Sequence, residues 1–440
     1  MIIERKRNEG GFVLTVTSLP IEELKQLKEQ LQKEYEAYQA EALSLDMSRG
    51  KPSGTQLDCT NEMFDIKLDY MTKDGIDGRN YGILDGVPEV KELFGTLLDI
   101  PTEQMIVGGN SSLNMMYDTI ARCFLFGTGG EIPWSKLPKV KFLCPCPGYD
   151  RHFAVTEEFG VEMIPIPMND DGPDMDQVEQ LVKEDEAIKG IWCVPLFSNP
   201  QGVCYSDEVV WRLANMKTAA KDFRIMWDNA YGVHYVYKKH ALKDILKAAK
   251  EAGNEDRIFY FFSTSKITFP GAGVALMASS PANIQDIKKH MGIQTIGADK
   301  LNQLRTLQFF KNADGIRSHM DRLAEQLRPK FDIVLQTLEK ELAGTGLADW
   351  KCPDGGYFIA VDTYAGCAKQ IVSLAKEAGV IMTAAGATYP YGIDPKDRNI
   401  RIAPSYPTCE ELKKAMELFC LCVKLAGVNR LLEEKTNNIR

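Results

Sequence analysis

Between residues 104 and 278 the chain alternates between two hydrophobic periods. Short apolar runs at 104–107, 140–144, 161–166, 188–194, 223–227, 257–262 and 273–278 read as strands. Stretches of helical spacing, such as 112–125, 206–221, 241–252 and 281–291, separate most of them. A strand that is apolar throughout needs cover on both faces. Crossover helices supply that cover only for a mainly parallel sheet. The expected fold class is therefore α/β: a large domain with a mainly parallel, seven-stranded sheet between helices.

The flanking segments lack this alternation. Residues 18–44 read as one amphipathic helix with Ser18 as its cap, Pro20 near its first turn, and Leu24, Leu27, Leu31 and Tyr35 on one face. A charged stretch over 300–343 also reads as helix, bent near Pro329. Strand-like 356–361, helix-like 367–378, strand-like 399–402 and a helix over 408–434 follow. These pieces predict a smaller α+β domain built from both termini. The boundaries are read as 1–60 for an N-terminal arm and part of that domain, 61–310 for the large domain, and 311–440 for the small C-terminal domain.

Charge and cysteine usage exclude several classes of partner. The 440 residues carry a formal net charge of −9, which disfavours nucleic acid and anionic membrane surfaces. An anionic ligand would need a locally built site. Eleven cysteines without a C-x-x-C spacing suit reduced thiols. The opening Met1-Ile-Ile-Glu-Arg-Lys-Arg lacks the apolar core of a secretory signal, so a cytoplasmic location is expected. None of the five histidines pairs as H-E-x-x-H, and no metal site is expected. No apolar run reaches the roughly 18 residues of a membrane helix.

Four polar motifs directly follow predicted strands, where open α/β sheets bind ligands. Gly108-Gly109-Asn110-Ser111-Ser112 joins a strand to a helix, and its turn and helix start offer N–H groups to an anion. In Pro195–Gly202, the turn at Asn199-Pro200 leaves the Asn199 amide free to point inward. Asp228-Asn229-Ala230-Tyr231 ends a buried apolar strand, where a carboxylate wants a cation or a protonated ring nitrogen. Ser263-Thr264-Ser265-Lys266 follows a run of aromatics, and a desolvated lysine there is a Schiff-base nucleophile. Each motif alone also reads as an ordinary turn, cap or ion pair. Together they supply what pyridoxal 5′-phosphate requires: an amine for its aldehyde, a carboxylate for its ring nitrogen, donors for its phenolic oxygen and a phosphate cradle.

On these residues the chain resembles the fold-type I pyridoxal-phosphate aminotransferases of class I/II, over nearly its whole length and in the family's motif order. The resemblance implies that Lys266 carries the cofactor and that Ser263 and Ser265 belong to the lysine motif. It implies that Asp228 meets the ring nitrogen and that Asn199 and Tyr231 meet the phenolic oxygen. Gly109, Asn110 and Ser111 match the phosphate loop, and Tyr149, in Pro147-Gly148-Tyr149, matches the ring that stacks on the pyridine. Tyr81 looks like the tyrosine that reaches the phosphate of the other subunit, which implies a homodimer with shared sites. Arg401, in Asn-Ile-Arg-Ile-Ala-Pro-Ser, looks like the clamp for the substrate α-carboxylate, and Gly50 belongs to the loop that closes over the substrate. The family's arginine about eight residues after the lysine is missing, and Lys300 is the candidate replacement. The Ser-Lys-Ile-Thr-Phe-x-Gly-Ala-Gly-Val-Ala stretch and the Asp-Met-Ser-Arg-Gly-Lys-Pro loop look like the MocR-like aspartate aminotransferase branch, subgroup 1c.

The implied activity is transamination between an L-amino acid, aspartate first, and a 2-oxo acid, 2-oxoglutarate first. Other reactions hosted by the same fold are a β-decarboxylase, a lyase, a synthase, or an aminoadipate or aromatic aminotransferase. A ligand-sensing domain of a transcription regulator is disfavoured, because the one helix before Arg49 is too short for a DNA-binding module. A second carboxylate on the substrate would need a further cation from among Arg49, Lys51, Arg79, Lys300 and Arg305.

Overall fold

The computed structural model describes residues 15–437, so the reading of Met1–Arg7 concerns residues outside that range. The chain divides into two compact units. Among the described residues, one comprises 15–51, 327–352 and 357–437, and the other comprises 52–326 and 353–356. The boundaries read at 60 and 310 thus fall at 51 and 326. The segment 353–356 sides with the larger unit, which no composition shift announces.

The smaller unit contains helices α1 (Ile21–Ala40), α13 (Ala368–Glu377) and α14 (Cys409–Asn437). It also holds an antiparallel sheet of β10 (Ala348–Trp350), β11 (Ile359–Thr363) and β13 (Asn399–Ile402), with β11 central. A short parallel pair joins β1 (Leu45–Asp46) to β12 (Val380–Ile381). Leu24, Leu27, Leu31 and Tyr35 form the buried stripe of α1, as their spacing predicts. That stripe packs α1 on α14. Ser18 is not its cap. It sits in a 3-10 turn and donates to Thr15 O at 2.7 Å, while Pro20 precedes the helix without a side-chain cap.

The larger unit is built on one eight-stranded sheet. Its strands are β2 (Met105–Val107), β3 (Lys141–Cys146), β4 (Glu162–Asn169), β5 (Gly172–Pro173), β6 (Ile188–Cys193), β7 (Arg224–Asp228), β8 (Ile258–Ser263) and β9 (Ala275–Ala278). The order is β2-β9-β8-β7-β6-β3-β4-β5. The five strands from β8 to β4 are parallel, and the β8–β9, β9–β2 and β4–β5 pairs are antiparallel. All seven predicted strands are present. The eighth, β5, is a two-residue edge piece too short to leave a period in the sequence. Every residue of β2, β6, β7, β8 and β9 is buried, the signature of strands covered on both faces.

The helices of this unit are α2 (Gly54–Asp58), α3 (Glu62–Asp65), α4 (Pro88–Leu98), α5 (Ser112–Phe126), α6 (Asp150–Glu158), α7 (Met175–Glu184), α8 (Asp207–Asn215), α9 (Ile245–Glu251), α10 (Pro281–Gln294) and α11 (Lys300–Phe310). Helix α12 (Ala313–Leu342) spans the boundary between units and contains Pro329. The stretch over 300–343 is therefore two helices. Lys311 breaks them at φ 66°, and a Cβ on Gly315 would lie 1.8 Å from Phe310 O. The helix expected over 206–221 ends at Asn215, where Met216 turns extended. The one expected from 241 begins at Ile245, because Asp244 caps it through Leu246 N and Lys247 N.

Strand direction places the chemistry. Two antiparallel pairings make β2 run the same way as β8, so the carboxyl ends of β2, β3, β6, β7 and β8 share one sheet edge. Gly108, Tyr149, Asn199, Asp228 and Ser263–Lys266 all lie at or just past those ends.

Candidate active site

Asp228 closes β7 and is 2% exposed. Its Oδ2 lies 2.9 Å from His152 Nε2. Its Oδ1 is buried and has no hydrogen-bond partner among the described residues. His152 sits in the first turn of α6 and stacks flat on Trp192, with centroids 4.2 Å apart. Tyr149, the residue before α6, meets His152 edge-on at 4.9 Å. Trp192 Nε1 in turn donates to Thr156 Oγ1 at 2.8 Å, and Thr156 Oγ1 donates to His152 O at 2.6 Å. The imidazole is thus fixed by packing and by its helix, and it holds one carboxylate oxygen while the other is left for something else.

Asn199 and Tyr231 are both buried, at the ends of the neighbouring strands β6 and β7. Lys266 is half-buried in the turn after β8. Three residues after Tyr231 lies His234, 1% exposed and edge-on to the Tyr231 ring at 6.0 Å. Burial drives its imidazole pKa down to about 3, and the charge of Lys266 lowers it further against the backbone carbonyls of His234 and Gly356. His234 is therefore a neutral imidazole within electrostatic reach of the lysine.

The glycine loop and the lysine motif meet at the edge of the sheet. Ala275 N donates to Gly109 O at 2.8 Å, Ser265 Oγ to Asn110 O at 3.3 Å, and Ser263 Oγ to Ser265 Oγ at 3.1 Å. The side chains of the loop are turned to local tasks. Asn110 Nδ2 donates to Pro270 O, and Ser111 Oγ caps α5 by accepting from Asn114 N. What the loop offers an anion is its backbone N–H groups and the start of a 15-residue helix. A cavity of about 420 Å³ opens beside it, lined by Gly108 to Ser111 and by Thr295 and Asp299.

Two predicted residues belong to the smaller unit. Arg401, on β13, is buried and lies over the Phe358 ring at 4.6 Å. Gly50 packs on the other partner of that stack, since a Cβ there would lie 2.3 Å from Phe358 Cζ. Tyr81, in the larger unit, is 79% exposed.

These groups fit pyridoxal phosphate. The open Oδ1 of Asp228 is the acceptor that a protonated ring nitrogen satisfies, and the backbone cradle at α5 suits a phosphate. The chain matches the family model for aspartate amino-transferases over residues 19–435. It belongs to the aspartate aminotransferase family. An aspartate aminotransferase of Corynebacterium glutamicum is 46% identical over 403 residues, 91% of this chain and 93% of that protein. The crystal structure of an aspartate transaminase from the same organism superposes with a TM-score of 0.93 at 44% identity, over 96% of this chain and all of that one. An α-aminoadipate aminotransferase of Thermus thermophilus, crystallised with N-(5′-phosphopyridoxyl)-L-leucine, shares the fold at 19% identity, with a TM-score of 0.70 over 88% of this chain and 93% of that one. The protein is an aminotransferase that uses pyridoxal phosphate, an amino acid and a 2-oxo acid. No helix among the described residues is long and apolar enough to cross a membrane.

Sequence reasoning missed His152, Trp192 and His234, whereas Phe358, in Gly356-Tyr357-Phe358, reads from sequence equally as a pocket residue and as a strand start. Only His152 left a trace, as a histidine one turn past the Pro147-Gly148-Tyr149 segment. The contact between His152 and Asp228 spans 76 positions and exists only because β3 and β7 end at the same edge.

Proposed function

We propose that the protein exchanges the amino group of L-aspartate with 2-oxoglutarate, giving oxaloacetate and L-glutamate. The observation that carries this is the 46% identity, along 91% of the chain, to a protein named an aspartate aminotransferase.

Lys266 Nζ would hold the cofactor at its aldehyde carbon, and Asp228 Oδ1 would accept the ring N–H, with His152 steadying Oδ2. Asn199 and Tyr231 would hold the phenolic oxygen, and Tyr149 would pack on the ring. Gly109, Asn110 and Ser111 would hold the phosphate with Ser263 and Ser265. When bound, pyridoxal phosphate supplies an electron sink for the pair left as the Cα–H bond breaks. Freed when the substrate amine takes its place at the aldehyde carbon, Lys266 Nζ would take that proton from the substrate Cα. Arg401 pairs with the α-carboxylate through two parallel N–H bonds and so orients the bond that breaks. Gly50 lets the backbone approach the Phe358 ring beneath Arg401.

Tyr81 would complete the phosphate site of a second copy in a homodimer. Its exposure, with that of Phe64, Ile293 and Ile296 on the same unit, supports this reading. A cytoplasmic location rests on eleven cysteines that are all free thiols.

The test is to incubate the protein with pyridoxal phosphate, L-aspartate and 2-oxoglutarate. Oxaloacetate and glutamate should form in equal amounts. Alanine and carbon dioxide from aspartate would instead identify a β-decarboxylase. Borohydride reduction should fix the cofactor covalently to Lys266, and Lys266→Ala should abolish that adduct. An adduct elsewhere would sink the assignment.

A further inference from the structure

A phosphate held at the Gly109–Ser111 loop needs a countercharge, and the segment after Lys266 has none. From Ile267 to Ala278 there is no lysine or arginine. Gly273 occupies the point where that segment passes the loop. A Cβ built on it would lie 3.2 Å from Thr264 Oγ1 and 3.5 Å from Asn110 O.

Helix α11 reaches this point from outside the segment. Asn302 is buried in its first turn, and its backbone N–H is held by the cap Asp299. Asn302 Nδ2 donates to Ala272 O and to Gly273 O, each at 2.9 Å. One turn on, Arg305 Nη2 donates to Asn302 Oδ1 at 2.6 Å. Arg305 forms no ion pair with any described residue, and its Nε is buried without an acceptor. An arginine with a desolvated donor and no carboxylate partner is costly unless an anion arrives.

We infer that Arg305, locked through Asn302 onto the carbonyls of Ala272 and Gly273, is the countercharge for the cofactor phosphate. This rests on the cofactor site described under Proposed function. Two other cations compete for this role. Lys300 is buried in the same helix, but residues two apart on an α-helix point about 200° apart, so it does not share the Asn302 face. Arg122 lines the cavity beside the loop, yet it lies ten residues into α5, about 15 Å along the helix from Ser112. Arg305, by contrast, is the i+3 neighbour of Asn302. Its charge is held two hydrogen bonds from the Gly273 backbone.

The experiment compares two ligands that differ only in the phosphate. Full-length apoprotein is titrated with pyridoxal 5′-phosphate and with pyridoxal, following quenching of protein fluorescence, for the unaltered protein and for R305Q, R305K and K300Q. R305Q should weaken binding of pyridoxal phosphate about tenfold or more and leave pyridoxal binding unchanged. R305K should recover part of the loss, and K300Q should bind both ligands like the unaltered protein. Equal loss of both ligands in R305Q, unchanged affinity for pyridoxal phosphate, or a phosphate-specific loss in K300Q would each overturn the inference. If the unaltered protein binds no pyridoxal phosphate, the cofactor assignment fails and this inference fails with it. Tight binding by both the unaltered protein and R305Q overturns the inference alone.

Discussion

Replacing Gly50 by alanine tests how the smaller unit presents Arg401. The added Cβ would lie 2.3 Å from Phe358 Cζ and 2.5 Å from Cε1. Carbon atoms in ordinary contact sit about 3.5–4.0 Å apart, so the ring or the loop must retreat by more than about 1 Å. The ring is not free to move alone, because Arg401 stacks on it at 4.6 Å. Overpacking of this kind costs about 1–3 kcal/mol. Losing the stack removes about 0.5–2 kcal/mol more from the ordering of the guanidinium. If the strain is expressed in the Arg401 position, the Michaelis constant for the amino donor should rise by about tenfold or more. Affinity for pyridoxal phosphate should stay within about twofold, since its proposed ligands lie in the other unit. The assay is steady-state transamination at varied aspartate, alongside a titration with cofactor. Gly54→Ala is the control, because a Cβ at that position has no atom within 4 Å. An unchanged aspartate Michaelis constant in Gly50→Ala, with normal stability, would refute the Gly50–Phe358–Arg401 stack.

His152→Phe keeps a flat ring against Trp192 but leaves both oxygens of Asp228 without a donor. It should destabilise the apoprotein by about 1–3 kcal/mol in urea unfolding and slow transamination by about tenfold. A rate equal to that of the unaltered protein would show that Asp228 does not depend on His152. His234 gives a pH prediction with a definite sign. Its folded pKa, about 3, lies below the ordinary value of 6.5, so the unfolded chain binds the extra proton between those limits. Its contribution to stability is full above about pH 6.5 and falls as the pH drops toward 3. His234→Gln should therefore flatten the fall in urea midpoint between pH 7 and pH 4.5, and an unchanged slope would contradict the buried, neutral imidazole. Light scattering should find a dimer, and a fully active monomer would remove the proposed role of Tyr81 in a second copy's site.

Much of the large unit was legible because its signals are local. A wholly apolar run such as Ile258–Phe262 needs cover on both faces wherever it is placed, and a turn such as Gly108–Ser111 can be seen before any partner is known. The residues that support those motifs were not legible. His152 is an unremarkable helix residue until β3 and β7 are brought to one edge. Phe358 reads equally as a pocket residue and as a strand start until Gly50 and Arg401 close on it from both chain ends. For the missing arginine the sequence offers Lys300, in the polar stretch after the 273–278 strand. Helical geometry turns Arg305 rather than Lys300 toward the Asn302 face.

The sequence by itself determined the class of the fold, the order of its strands along the chain and the chemical groups at their ends. Periodicity and side-chain chemistry are properties of short segments, and they survive without tertiary context. The tertiary structure alone decided which groups meet. It set the sheet order, gave one Asp228 oxygen to His152 and left the other open, neutralised His234 by burying it near a lysine, and delivered Arg305 through Asn302. Those outcomes depend on desolvation and on contacts between residues tens to hundreds of positions apart, and neither is written in any local pattern.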